Sequence, residues 1–111
     1  MTEYQLVDSK DTVYRDGTIK LHSEEGFEGM RKAGRLAATI LDECAEWVQP
    51  GVTTESIDTK IREMMLDAGA VPATLGYRGY THSSCISINH VICHGIPSDK
   101  VLKEGDILNI D

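Results

Sequence analysis

No run in this chain comes near the roughly 20 consecutive apolar residues that a membrane-spanning helix requires, so no membrane span is predicted. The opening stretch, MTEYQLVDSKDTVYRDGTIKLHS, likewise lacks the apolar core of a secretory signal. Positive charge is scarce: 11 Lys and Arg stand against 18 Asp and Glu, a net charge of −7 spread along the chain. Phosphate neutralisation needs a basic stripe, so the balance argues against nucleic acid as a main partner. Cysteine is scarce too, with only Cys44, Cys85 and Cys93 and no Cys-x-x-Cys pair. An odd count without disulfide-like spacing argues against a disulfide scaffold and a structural zinc site, and predicts reduced thiols. Repeats and low-complexity tracts are missing. The absences predict a soluble, cytoplasmic protein. Its 111 residues make one small domain, able to bury roughly two thirds of the surface its unfolded form exposes.

What is present divides near residue 22. Residues 1 to 22 are polar and mixed in charge, with Asp16-Gly17 marking a turn; they read as an N-terminal arm, either flexible or a short hairpin. Residues 23–111 read as one domain. Ser23 can cap a helix whose first turn carries Glu24 and Glu25, where the helix dipole favours acids. Phe27, Met30, Ala37, Leu41, Cys44 and Val48 recur at three- and four-residue steps, widened by Ile40 and Trp47, and Pro50-Gly51 ends the helix. Thr53 or Thr54 caps a second helix carrying Ile57, Ile61, Met64, Met65 and Ala68, with Gly69 as its stop. The short turn between the helices predicts an antiparallel pair.

Beyond Pro72 the pattern becomes loop and strand. Leu75-Gly76-Tyr77-Arg78-Gly79-Tyr80 is a glycine-punctuated loop. Cys85 to Asn89 alternates, with Ile86 and Ile88 opposite Cys85, Ser87 and Asn89, and Val91–Cys93 reads as an extended continuation. Lys103-Glu104-Gly105-Asp106 reads as a turn, after which Leu108 and Ile110 stand opposite Ile107, Asn109 and Asp111. The fold class is α+β with an unfinished sheet.

Two residues carry most of the chemical interest. Gly95 and Pro97 constrain the backbone around His94, and a fixed backbone is what a hydrogen-bonding imidazole needs. Neutral, His94 can donate to a substrate carbonyl; protonated, it can stabilise a developing oxyanion. Asp111, in a strand of Ile, Leu and Ile, needs a partner if buried: a metal ion, an arginine or solvent. Cys93 and His94 are adjacent in a segment read as extended, where neighbours face opposite ways, so neither a shared zinc nor a Cys-His nucleophile is expected. Cys85 and Cys93 read as buried strand thiols. Tyr77 and Tyr80 are either ordinary surface tyrosines or one wall of an apolar pocket beside Cys85.

From about Phe27 to Asp111 the chain resembles the N-terminal portion of a type I methionine aminopeptidase of the bacterial kind. The strings that carry the resemblance are MRKAGRLAA, VQPGVTT, LGYRGY, CISIN, CHGIP and GDILNID, in the family's order and spacing. CHGIP also separates this family from the related prolidases and creatinases. The resemblance implies the pita-bread fold of creatinases and aminopeptidases, in which two related αββ halves enclose a pair of divalent metal ions. This chain would be an incomplete version, the first αββ half only, truncated at its C-terminus.

The implied activity is that of a methionyl aminopeptidase, a metallo-exopeptidase that removes the initiator methionine from nascent polypeptides with a small second residue. His94 matches the catalytic histidine, which also contacts substrate, and Asp111 matches a metal-binding aspartate. Tyr77, Tyr80 and Cys85 match the pocket for the methionine side chain. Asn89 and Val91 match positions that give oxygens to a monovalent cation in some members. The implied metals are two divalent ions (Co, Mn, Fe or Zn), and the implied partners are polypeptide N-termini, with transient ribosome contact and a monomeric full-length enzyme. Thr74 replaces a pocket cysteine of some bacterial members, and His90 replaces a common acidic residue. The remaining metal ligands of the family fall after residue 111, so this chain alone is expected to be inactive and prone to self-association. One rival reading is a non-catalytic pita-bread module that binds polypeptide N-termini or the ribosome. Another is a small structural protein in which CHGIP is only a turn.

Overall fold

The structure, a computed structural model, describes residues 4–8 and 18–111. Two compact units are present, Met1–Ala37 and Ala38–Asp111. In the first, β1 (Tyr4–Asp8) and β2 (Thr18–His22) pair antiparallel, with Tyr4 opposite His22 and Asp8 opposite Thr18. Of the two forms expected for residues 1–22, the hairpin is the one observed; the Asp16-Gly17 turn lies outside the described residues. Helix α1 (Glu24–Trp47) begins as expected immediately after Ser23, whose carbonyl accepts from the Phe27 amide at 3.0 Å. Its first turn carries Glu24 and Glu25 against the positive helix end.

The second unit holds the rest of α1, then α2 (Thr54–Asp67), β3 (Ile86–Ile88) and β4 (Leu108–Ile110). Thr53 is the N-cap of α2, its hydroxyl accepting from the Ser56 amide at 3.2 Å. The helix ends at the Ala68 cap, followed by Gly69 at φ 77°. β3 and β4 pair antiparallel, Ile86 opposite Ile110 and Ile88 opposite Leu108. The apolar core comprises Ile40, Cys44, Ile57, Ile61, Ile86 and Leu102. Each such side chain contributes roughly 1.5–3 kcal/mol relative to exposure. Thr54, Asp58, Ser83, Ser84 and Ser87 are buried beside them.

Four expectations are corrected. The α1 stripe is buried only at Ile40 and Cys44; Phe27, Met30 and Leu41 are exposed. Ile40 and Cys44 belong to the second compact unit, whereas Phe27 and Met30 belong to the first, whose described residues hold no buried hydrophobic side chain. The two helices share few close backbone contacts among the described residues and are not a closely packed pair. The segment 98–102 instead lines the turn between them: Gly51 donates to Leu102 at 2.8 Å, Leu102 donates to Val52 at 2.8 Å, and Thr53 bridges Val101. The first amides of α2 also find carbonyls there, Thr54 donating to Lys100 at 3.2 Å and Glu55 to Ser98 at 2.9 Å.

Val91–Cys93 is not an extended continuation of β3. Asn89, at φ 53°, turns the chain, and Val91 donates back to Ile88 at 3.1 Å. Asparagine tolerates this left-handed conformation better than most residues. Cys93 is therefore exposed and Cys85 half-buried, rather than both buried in strands. Only Cys44 is buried, and burial raises its thiol pKa. Among the described residues no helix is long and apolar enough to cross a membrane.

Candidate active site

Turning at Asn89 brings the following segment back along β3. Ile86 donates its amide to Gly95 at 2.8 Å, and Gly95 donates to the Ser87 hydroxyl at 3.0 Å. Gly95 is flat against the strand: a Cβ there would meet the Ile86 carbonyl oxygen at 2.2 Å. No side chain fits that gap, which explains the glycine after the histidine. His94 itself is held at φ 56°, a left-handed conformation that costs a non-glycine residue roughly 1–3 kcal/mol and persists only when its surroundings enforce it. The imidazole makes no hydrogen bond within the protein among the described residues and is exposed.

On the other side of β3, Cys85 and Asp111 exchange both backbone hydrogen bonds, at 2.7 and 2.9 Å. Residues directly opposed in this way point to the same face. The Asp111 carboxylate has no cation within ion-pair distance among the described residues.

Tyr77–Gly79 forms a tight turn with Gly76, Arg78 and Gly79 all at positive φ. The Gly76 amide donates to Tyr80 at 2.7 Å and the Tyr80 amide to Tyr77 at 2.9 Å, closing the loop on itself. The Arg78 guanidinium lies 5.3 Å from the Tyr77 ring. Thr74 fastens the loop through its hydroxyl to the His82 carbonyl at 2.9 Å.

These elements surround a cavity of about 640 Å³ lined by Thr74, Tyr77, Arg78, Gly79, Tyr80, Cys85, His94, Ile96 and Asp111. Tyr77, Tyr80, Cys85, His94 and Asp111, singled out on separate grounds along the sequence, are thus on one wall system. The cavity is largely apolar in lining, with the His94 imidazole and the Asp111 carboxylate set among Arg78, two tyrosine phenols and the Cys85 thiol. Burial raises the Tyr80 phenol well above its usual pKa, and the neighbouring Cys85 thiol and Asp58 carboxylate add to the shift. Its hydroxyl donates to the Ser84 carbonyl at 2.6 Å.

Asn89 and Val91 lie elsewhere, on a separate cavity of about 300 Å³ that also touches Thr54 and Lys100. The Asn89 amide group is engaged: its nitrogen donates to Asp106 at 3.0 Å and its oxygen accepts from the Ile107 amide at 3.1 Å. With the side-chain amide engaged, the Asn89 main-chain carbonyl is the freer oxygen to serve a cation. The Asn89 contact, with the Lys103 amide, lowers the Asp106 pKa.

A second group escaped the sequence reading. Asp58 is fully buried. Its Oδ1 accepts from the Ser83 amide at 3.0 Å and the Ser84 hydroxyl at 2.7 Å, and its Oδ2 from Arg62 Nη2 at 3.0 Å. Arg62 Nε also donates to the Ser83 hydroxyl at 3.0 Å, and His82 Nε2 pairs with Glu55 at 2.7 Å. Ligand atoms of Glu55, Asp58 and His82 lie within 4.8 Å of one another, but each already has protein partners. The available signal was an Asp-to-Arg step of four on α2, the spacing of a helix-surface ion pair. It gave no hint of burial.

Comparisons with known proteins identify the family. The model of metallopeptidase family M24 matches residues 28–111. The methionine aminopeptidase of Rickettsia prowazekii is 52% identical over 94 residues, 85% of this chain and 36% of the relative. That of Escherichia coli K12 is 50% identical over 95 residues, 84% and 36% respectively. Methionine aminopeptidase 1D of Arabidopsis thaliana, chloroplastic/mitochondrial, is 42% identical over 111 residues, 100% of this chain and 32% of the relative. The crystal structure of the Rickettsia prowazekii enzyme superposes with a TM-score of 0.81, covering 84% of this chain and 38% of that one. The Thermotoga maritima enzyme gives 0.69 at 38% identity, covering 71% and 32%. This chain therefore spans about a third of the length of these relatives, and its two helices and small sheet are a part of the α+β pita-bread fold. With the M24 match over residues 28–111 and this shared architecture, the chain belongs to the methionine aminopeptidases of metallopeptidase family M24.

Proposed function

We propose that the protein containing this chain removes N-terminal methionine, in a metal-dependent hydrolysis, from polypeptides whose second residue is small. In this reading the chain supplies the first αββ half of the fold and the methionine-binding end of the site. The observation that carries it is the single cavity joining Tyr77, Tyr80 and Cys85 to His94 and Asp111. Its volume of about 640 Å³ falls within the range of small-molecule sites.

The roles follow from the chemistry of each wall. Tyr77, Tyr80 and Cys85 surround the unbranched thioether of methionine and exclude water from it. His94 donates an N–H to the scissile carbonyl oxygen and keeps that bond as negative charge develops on the oxygen, worth ~3 kcal/mol for one such donor. Asp111 is a hard oxygen donor on the cavity with no cation within ion-pair distance among the described residues, which fits one ligand position of a divalent ion. A single carboxylate is too few for a pair, so the other ligands are assigned to the rest of the protein. Once bound, divalent ions (Co, Mn, Fe or Zn) supply Lewis-acid polarisation and a nucleophilic water at neutral pH. The carbonyls of Asn89 and Val91 are assigned to a monovalent cation nearby. In this account the 111 residues alone are inactive, the complete enzyme is a monomer, and nascent chains are met transiently at the ribosome. The three free cysteines suit a reducing compartment such as the cytoplasm.

The test is methionine release by the complete native protein from Met-Ala-Ser and Met-Lys-Ser peptides, after chelation and again after adding back each metal. Metal-restored release from the alanine peptide alone is expected. Release that ignores chelation, or no release with any metal, would overturn the reading.

A further inference from the structure

We propose that Asp58 is a positioning residue for the methionine-side-chain pocket, acting through Ser83 and Ser84; the inference rests on the aminopeptidase reading of that cavity. Asp58 does not line the cavity. It lies within α2 with no exposed surface, and its carboxylate takes hydrogen bonds from two consecutive residues of the pocket loop, the Ser83 amide and the Ser84 hydroxyl. The Ser84 carbonyl in turn accepts from the Tyr80 hydroxyl at 2.6 Å, and Cys85 follows Ser84 directly. Two of the three side chains assigned to hold methionine are therefore indexed to the helix through one carboxylate. Glu55, one turn earlier, grips His82 at 2.7 Å, and Arg62, one turn later, donates to the Ser83 hydroxyl at 3.0 Å, so α2 holds the loop from both sides of Asp58 along the helix.

The choice of a carboxylate is informative. Replacing a buried ion pair by packed apolar side chains is often neutral or stabilising, so stability alone does not call for a charge here. A carboxylate with four acceptor directions does what an apolar side chain does not: it fixes the heights of two successive backbone residues and, with them, the ring of Tyr80. Pocket dimensions discriminate between residues of similar bulk only as well as the walls hold still. Methionine is unbranched where leucine branches at Cγ, so leucine is the substrate that a loosened wall admits.

The experiment compares kcat/KM for Met-Ala-Ser and Leu-Ala-Ser peptides in the complete native protein and its Asp58→Asn variant. The Met-over-Leu ratio is expected to fall by about tenfold or more, within the range that one side-chain difference commands in an apolar pocket. The loss should come through KM for the methionine peptide, with kcat changed far less. A merely structural role reduces the folded fraction, which scales both substrates equally and leaves the ratio unmoved. Ile57→Val, a buried neighbour on α2 whose side chain makes no hydrogen bond to the loop, is the control and should keep the parental ratio. If Asp58→Asn does not fold, Ser84→Ala decides, since it removes one hydrogen bond and leaves the ion pair. A parental ratio in these variants would overturn the positioning role alone. A parent that releases neither residue would overturn the aminopeptidase reading and this inference with it.

Discussion

The two sides of the loop from Thr74 to Cys85 are built on opposite rules. Toward α2, the loop meets enclosed and partnered groups: Ile57 and Asp58 are completely buried, Ser83 and Ser84 nearly so, and no buried side-chain polar atom among the described residues lacks a hydrogen bond. Toward the cavity, Tyr77 is 63% exposed and Ile96 62%, while His94 and Asp111 make no side-chain hydrogen bond with the protein among the described residues. An anchored side and an available side, a few residues apart, are what a preformed binding site requires. Groups meant for a ligand must be left unsatisfied, and they hold their positions only if their supports are fully satisfied.

The sharpest way to break that contrast is to remove the anchor. Asp58→Ala would strand Arg62, the Ser83 amide and the Ser84 hydroxyl, and should lower stability by about 3–4 kcal/mol, read from the urea midpoint of the native protein. On the available side, His94→Ala should leave the midpoint unchanged. It should cut kcat roughly a hundredfold, ~3 kcal/mol, with little change in KM; equal turnover in mutant and parent would remove His94 from the chemistry.

Gly95→Ala probes the seam between the two. Its Cβ would fall 2.2 Å from the Ile86 carbonyl oxygen, so the segment must lift from β3, at about 1–3 kcal/mol. His94 would move with it, and activity should drop along with the midpoint. Thr53→Ala removes only the α2 cap and should cost ~1 kcal/mol, without altering selectivity between methionine and leucine.

The smallest effect concerns pH. Burial raises the Tyr80 phenol pKa in the folded protein, against about 10 in the unfolded chain. The folded form holds that proton more tightly, so the contribution is complete below the unfolded value and is lost as pH rises toward the folded one. The parent's urea midpoint should therefore fall more steeply above about pH 10 than that of Tyr80→Phe. Parallel slopes would show that the phenol titrates as if in water.

Legibility in the sequence followed the same divide. Local signals were enough for the helices: the acids after Ser23, the Thr53 cap and the Gly69 stop describe α1 and α2 closely. Strand alternation gave the face of Cys85 within one strand and of Asp111 within the other, but not the pairing that opposes them. The strings around Tyr77, Tyr80 and His94 pointed to residues that the fold gathers on one cavity. Contacts distant in sequence were not legible. The antiparallel helix pair was inferred from loop length, but residues 98–102 occupy that turn with backbone pairing that no local pattern announces. Val91–Cys93 looked extended because its residues are apolar, whereas the left-handed Asn89 had already reversed the chain. Asp58 went unremarked because an Asp-to-Arg step of four is ordinary on a helix surface, and its hydrogen bonds go to two serines 25 and 26 residues away. The α1 stripe overestimated burial because periodicity reports which face is apolar, not how much is there to cover it.

The central claim is that the cavity walled by Tyr77, Tyr80 and Cys85 holds methionine. Titrating L-methionine into the metal-loaded native protein, with the tyrosine and histidine ring protons followed by NMR, tests it most directly. Saturable shifts of the Tyr77, Tyr80 and His94 rings are expected, with the methyl groups of Leu41 and Ile107, which do not line that cavity, unmoved. Saturation with those rings silent would contradict it.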